Sequence, residues 1–232
     1  APWPWRAVTL AYRGAMAARR PSGDLRRHRA TALPAALARL HGELPVGATV
    51  SLWLRDGLPV PAADLLHGAG FAPLGDAPQA GAREAPAAQA LAAQALAAQA
   101  RTTGPEAALE PGIEVERLRT LPDRVGPGLR LLVCGLNASI YAADAGVPFA
   151  RPGNRFWPAM VAAGIVPEAH RRLADVVFSV DRIGFTDLVK RATRAAEEVT
   201  ATEYRDGGQR LDRLVRWLRP RAVCFLGLTG YR

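Results

Sequence analysis

Lysine is almost missing from this chain: 29 of its 30 basic residues are arginine, and Lys190 is the single exception. That bias points to a GC-rich genome, so the net charge of +9 argues less strongly for a polyanionic partner than its size suggests. Cysteine is also scarce. Cys134 and Cys224 stand alone in apolar surroundings, which excludes a disulfide framework and a zinc site and reads as two buried, inert thiols. No apolar run approaches the ~18 residues of a membrane-spanning helix, and no secretory leader opens the sequence, so the expected location is the cytoplasm, with the nucleoid as its place there and no membrane partner. The four histidines, His28, His41, His67 and His170, read as surface residues.

The charge that is present is unevenly spread. Residues 1–75 carry 9 basic and 4 acidic groups, residues 76–116 carry 2 and 6, and residues 117–232 carry 19 and 11. The acidic middle stretch is rich in Ala, Gln, Pro and Gly and holds a five-residue repeat, Ala90-Leu-Ala-Ala-Gln94 and Ala95-Leu-Ala-Ala-Gln99. A period of five turns Leu91 and Leu96 about 140° apart on a helix, so no apolar face forms and the segment reads as a linker. Ahead of it, Ala32–Leu44 has helical spacing, Ala48–Leu54 alternates like a strand, and Ala62–Gly68 is helical before Gly70-Phe71. Residues 1–75 are therefore a small α/β fragment.

Beyond the linker, Gly128–Cys134 is an apolar run expected to form a buried parallel strand ending at Gly135, with a loop after it. Phe156, Trp157, Met160 and Val161 make one face of a helix over 154–163. A second helix opens on the capping box Thr200-x-x-Glu203, carries Leu211, Leu214, Val215 and Leu218 on one stripe, and stops at Pro220. Arg221–Gly227 is a further buried strand. The expected fold of 117–232 is thus a layered α/β domain with a central parallel sheet flanked by helices.

Function is concentrated in three ordered blocks. The first is Gly135-Leu-Asn-Ala-Ser139, at the carboxyl end of the strand, where α/β folds gather their working groups. The second runs from Pro148 to Trp157 as Pro-Phe-Ala-Arg-Pro-Gly-Asn-Arg-Phe-Trp, and the third is Gly184-Phe-Thr-Asp-Leu-Val189 followed by Arg191-Ala-Thr193. Together they resemble the mismatch-specific uracil/thymine branch of the uracil-DNA glycosylase superfamily. In that family the first block reads Gly-(Ile/Leu)-Asn-Pro-(Gly/Ser), so Ala138 replaces a proline that stiffens the loop.

The resemblance implies a monomeric, monofunctional, cofactor-free and metal-free enzyme of base excision repair. Its partner would be double-stranded DNA containing a G·U or G·T mismatch, from which it flips the pyrimidine and hydrolyses the N-glycosidic bond. Asn137 would be catalytic, holding the attacking water through its uncharged amide. Gly135, Ser139, Phe149 and Asp187 would bind the substrate. Phe149 would stack on the flipped base, or is a core phenylalanine; Ser139 would touch pocket or phosphate, or is a turn hydroxyl; Asp187 would read the base edge or orient the water, or is a solvated or helix-terminal aspartate. Arg151 and Arg155 would contact DNA, Arg155 alternatively pairing with a carboxylate, while Asn154 and Trp157 brace the loop. Family members continue to a further loop that wedges into the duplex, so the domain is expected to be incomplete at Arg232 and cut from a longer fusion protein. The alternative reading is a catalytically impaired DNA-binding or damage-sensing module. Residues 32–71, with Leu44-Pro-Val-Gly47 between helix and strand, resemble the tail of a class I methyltransferase without its glycine-rich cofactor end, so methyl transfer is not expected.

Overall fold

The computed structural model describes residues 23–74 and 112–227. The Ala/Gln repeat at 90–99 and residues 228–232 lie outside the described residues.

The first unit begins with α1 (Leu33–Glu43), which has Pro34 in its first turn and buries Leu33, Ala36, Leu37 and Leu40 along one face. It continues with β1 (Thr49–Leu52), α2 (Ala62–Gly68) and β2 (Phe71–Pro73), in the order expected. A third strand, β3 (Ile113–Arg117), completes the sheet from the middle, antiparallel to both neighbours with Val50 opposite Val115 and Ala72 opposite Glu116. Residues 113–116 therefore do not end the linker, to which composition had assigned them. Their alternation, with Val115 fully buried and Glu114 exposed, is real but spans only five residues beside an Ala/Pro-rich tract. The core of this unit is Leu33, Leu37, Leu52, Leu66, Phe71 and Val115, all at most 1% exposed.

The second unit is built on β4 (Leu131–Ser139). α3 (Ile140–Ala145), α4 (Phe156–Ala162) and α5 (Ala174–Ser179) follow, then β5 (Ile183–Thr193), α6 (Ala201–Leu218) and β6 (Val223–Phe225). The sheet order is β5-β4-β6 with both pairings parallel, a parallel sheet flanked by helices as expected. Successive β4 residues serve opposite layers: Val133 packs with Phe156, Trp157 and Val177, whereas Leu132 and Cys134 pack with Leu188, Leu211 and Leu214 of β5 and α6. Gly207 makes the second layer possible, because a Cβ there would lie 2.1 Å from the Leu188 carbonyl oxygen. The Thr200–Glu203 capping box forms, and Arg219 ends α6 in the left-handed region just before Pro220.

Four sequence expectations are corrected. β4 does not stop at Gly135 but carries the whole Gly135–Ser139 block into the sheet, since β5 continues alongside it. β6 and Cys224 are half-buried rather than buried, as suits the edge of the described sheet. His41 is 2% exposed, its ring edge-on to Phe71 and its Nε2–H donating to the Leu118 carbonyl at 3.0 Å. His170 is only partly exposed and meets the Asp181 carboxylate through Nδ1 at 2.9 Å.

The two units share an interface. Arg213 of α6 binds Asp64 of α2 with two hydrogen bonds of 2.6 and 3.0 Å, Trp217 packs against the first core, and the Asp123 N–H donates to the Gly68 carbonyl at 2.8 Å.

Candidate active site

At the carboxyl end of β4 the pairing with β5 slips. Asn137 lies opposite Val189, yet Ser139 lies opposite Thr193, so β5 bulges outward over residues 190–192. The bulge turns the Arg191 carbonyl and the Thr193 hydroxyl toward Asn137. The Asn137 Nδ2 donates to Thr193 Oγ1 at 2.7 Å and to Arg191 O at 3.1 Å, and the Thr193 hydroxyl donates to Ala195 O at 2.7 Å. A carbonyl oxygen can only accept, so the Arg191 contact fixes which end of the amide is NH₂. Oδ1 accepts no hydrogen bond among the described residues and is left to take one from a water. Arg191 is itself held: its guanidinium makes bonds of 2.6 and 3.0 Å to Glu203, the capping-box glutamate, and reaches Glu198 O at 2.7 Å.

Two residues back along the strand, about 7 Å away, Gly135 stands opposite Asp187. A Cβ at 135 would lie 2.5 Å from Asp187 Oδ1 and 3.6 Å from Phe149 Cζ, so the glycine is what lets these two side chains converge. Phe149 is half-buried, has φ +57° in the left-handed region, and lies against Phe156 with ring centroids 4.1 Å apart. Its loop is braced by Trp157 Nε1 donating to Pro148 O at 2.9 Å and by Asn154 Oδ1 accepting from the Phe156 N–H at 2.8 Å. Phe149 and Asp187, with Leu121, Pro122, Pro148 and Phe185, wall a recess of about 260 Å³ counting its open mouth. A larger recess, about 340 Å³, lies between the two units against Leu65, Val125 and Leu214. Its walls, mainly aliphatic with Asp64, Asp123 and Arg210 among them, offer no ring face, so the smaller recess is the better candidate for a planar substrate.

Beneath the pocket lies a buried polar cluster that the sequence did not reveal. Asp123 accepts from Lys190 Nζ at 2.8 Å, Arg210 Nη1 at 2.7 Å and Thr186 Oγ1 at 2.8 Å. Arg210 also donates to Thr186 Oγ1 at 3.0 Å and to the Asp187 carbonyl at 2.7 Å. Burial pushes the Asp123 carboxyl up, but Arg210 and Lys190 outweigh it and hold it below the usual carboxylate range. For Asp187 the balance is reversed. Burial and the neighbouring Asp123 raise it despite Lys190 and Arg210, and its side chain accepts no hydrogen bond among the described residues. Burial also pushes the Cys134 thiol up to about 12, so it is protonated and unreactive at neutral pH.

The remaining expected residues sit apart from the pocket floor. Ser139 caps α3, its Oγ accepting from the Ala142 N–H at 3.2 Å. Arg151 and Arg155 are exposed on the Phe149 loop, and neither pairs with a carboxylate among the described residues. Ala138 is buried against Leu121 and Ala142. Thr193 and Arg191, the partners of Asn137, stood in the third block without an assigned role. Asp123 had no sequence signal, but the solitary lysine did mark Lys190.

A ring-walled recess, with an oriented amide two residues further along β4 from Gly135 and outside the recess lining, suits hydrolysis at a planar heterocycle. Residues 122–232 match the family model described as the Uracil DNA glycosylase superfamily, a likeness that supports DNA glycosylase activity in general.

Proposed function

We propose that the protein is a monofunctional DNA glycosylase acting on uracil or thymine mispaired with guanine, with Asn137 as its water-holding residue. The observation that carries this reading is the Asn137 amide: Thr193 and Arg191 O fix its nitrogen, which leaves Oδ1 as a hydrogen-bond acceptor without a partner among the described residues. A pyrimidine flipped from the duplex would stack on Phe149 and present its edge to Asp187. Extrusion costs a few kcal/mol and least for a mispair, which favours the mismatched base.

The reaction follows from these positions. Water on Oδ1 attacks C1′ while the C1′–N1 bond breaks and its electron pair leaves with the base. The sugar passes through an oxocarbenium-like state, and the released proton is taken up by the departing pyrimidine. An amide is too weak a base to keep that proton, so Asn137 contributes orientation. Arg151 and Arg155, exposed on the same loop as Phe149 and without a carboxylate partner among the described residues, would meet phosphates.

The test is a labelled duplex with one G·U pair, treated with alkali after incubation to cut abasic sites. Scission by the wild type that falls about 10²–10⁴-fold in Asn137→Ala is the expected result. Binding of the mismatch without scission would reassign the domain to damage sensing.

A further inference from the structure

Lys190 is the one lysine among 30 basic residues, and its side chain is wholly buried. In a composition that supplies arginine everywhere else, this one lysine sets its cationic head between two carboxylates. Its Nζ lies 2.8 Å from Asp123 Oδ1 and 4.0 Å from Asp187 Oδ2. Among the described residues one of its three donors is used, on Asp123, so the ammonium has protons to offer on the Asp187 side. Asp123 is in turn held by Arg210, by Thr186 and, through its backbone N–H, by Gly68 of the first unit. Thr186 and Asp187 are the members of this cluster that also line the pocket, and Asp187 is the ionisable one, with Oδ1 over Gly135 and Oδ2 toward Lys190.

We propose that Lys190 is a positioning residue for the reaction: anchored on Asp123, its ammonium orients the Asp187 carboxyl that faces the bound base and thereby helps set which base edge the pocket accepts. This rests on the reading of the recess as the base pocket. The groups facing Asp187 are Lys190 on its own strand, Asp123 from the segment before β4, Arg210 from α6 and Cys134 on β4. Of the charged three, Lys190 and Arg210 favour the ionised carboxylate, and Asp123 and burial oppose it. Removing the ammonium must therefore move the titration of Asp187 to higher pH, and with it whichever limb of the pH–activity profile Asp187 governs.

The solitary lysine makes the test direct, because lysine labelled with ¹³C at Cε and ¹⁵N at Nζ contributes one side-chain signal from the whole chain. That signal is followed across the pH range in the wild type and in Asp187→Asn, neither of which alters Lys190. An inflection present in the wild type and absent in Asp187→Asn is the expected result; a signal indifferent to Asp187 overturns the proposal. In parallel, kcat/KM on the G·U duplex is profiled against pH for the wild type, Lys190→Met and Lys190→Arg. An upward shift of one limb in Lys190→Met, largely restored in Lys190→Arg, supports the assignment, whereas a uniform loss with an unmoved profile reduces Lys190 to a structural cation. The NMR arm needs no turnover, so an inactive protein with a coupled lysine signal would count against the glycosylase reading alone.

Discussion

The two units of this protein keep their interiors differently. In the antiparallel unit the interior is aliphatic apart from Phe71 and one neutral histidine, His41, whose ring proton goes to a backbone carbonyl. The parallel unit, under the end of its sheet, buries Asp123, Asp187, Lys190 and Arg210 with Thr186. Removing charges from water is costly, and apolar replacements of such clusters are often as stable or more so. Buried charge directly behind a recess at the strand ends is therefore better explained by what it does to Asp187 than by stability. The aliphatic unit needs no such cluster to fold, yet it supports one, since the Gly68 carbonyl receives the Asp123 N–H.

The largest expected effect comes from breaking that contrast at its centre. Asp123→Asn leaves Lys190 and Arg210 buried with their shared anion gone and should destabilise the fold by about 3–5 kcal/mol, read as a fall in the urea midpoint. A loss below about 1 kcal/mol would mean that the cations find other partners. Next in size is the pH response of the antiparallel unit. Burial lowers His41 from 6.5 to about 4 in the folded protein. Between those values the unfolded chain takes up a proton that the native state refuses, so this contribution is complete above pH 6.5 and is lost as the pH falls toward 4. It amounts to about 3 kcal/mol. Denaturant midpoints at pH 4.5 and 7 should differ less in His41→Gln than in the wild type, and an unchanged difference would dismiss His41 as the source.

The smallest effect sharpens the comparison at the contact between the units. A Cβ on Gly68 would lie 2.5 Å from Asp123 Oδ2 and 2.9 Å from Arg210 Nη1. Alanine normally gains up to ~1 kcal/mol over glycine within a helix. Here the displacement of Asp123 should outweigh that gain, and Gly68→Ala is expected to lower stability by about 1–2 kcal/mol in a thermal melt. A raised melting temperature would show that α2 does not press on the cluster.

Much of this architecture was legible from residue order. Both long helical stripes, the capping box at Thr200 and the strand before Cys134 follow from periodicities of 3.6 and 2 and from local side chain-to-backbone bonding, which act over a few residues. β3 was hidden because five alternating residues next to an Ala/Pro-rich tract carry little periodic signal. β5 was hidden by its own depth: with residues 183–190 all buried, no alternation remained to mark a strand. Within the site, Asn137, Phe149 and Asp187 stand out by their blocks. The partners that orient Asn137 are 54 and 56 positions away and reach it only through a bulge.

By itself, then, the sequence determined four of the six described α-helices, the capping box at Thr200, the apolar runs that must be buried and the short list of polar residues able to do chemistry, because each depends on neighbours within one or two turns. Tertiary structure alone decided that Gly135 would leave room for Asp187 beside Phe149, that the Asn137 amide nitrogen would be held by Thr193 and Arg191, and that Lys190 and Arg210 would close on Asp123. Those arrangements join groups 14 to 87 positions apart, and they exist only once sheet register and helix packing have brought the groups within a few ångströms, where burial strengthens both the attraction between charges and the cost of leaving any one alone.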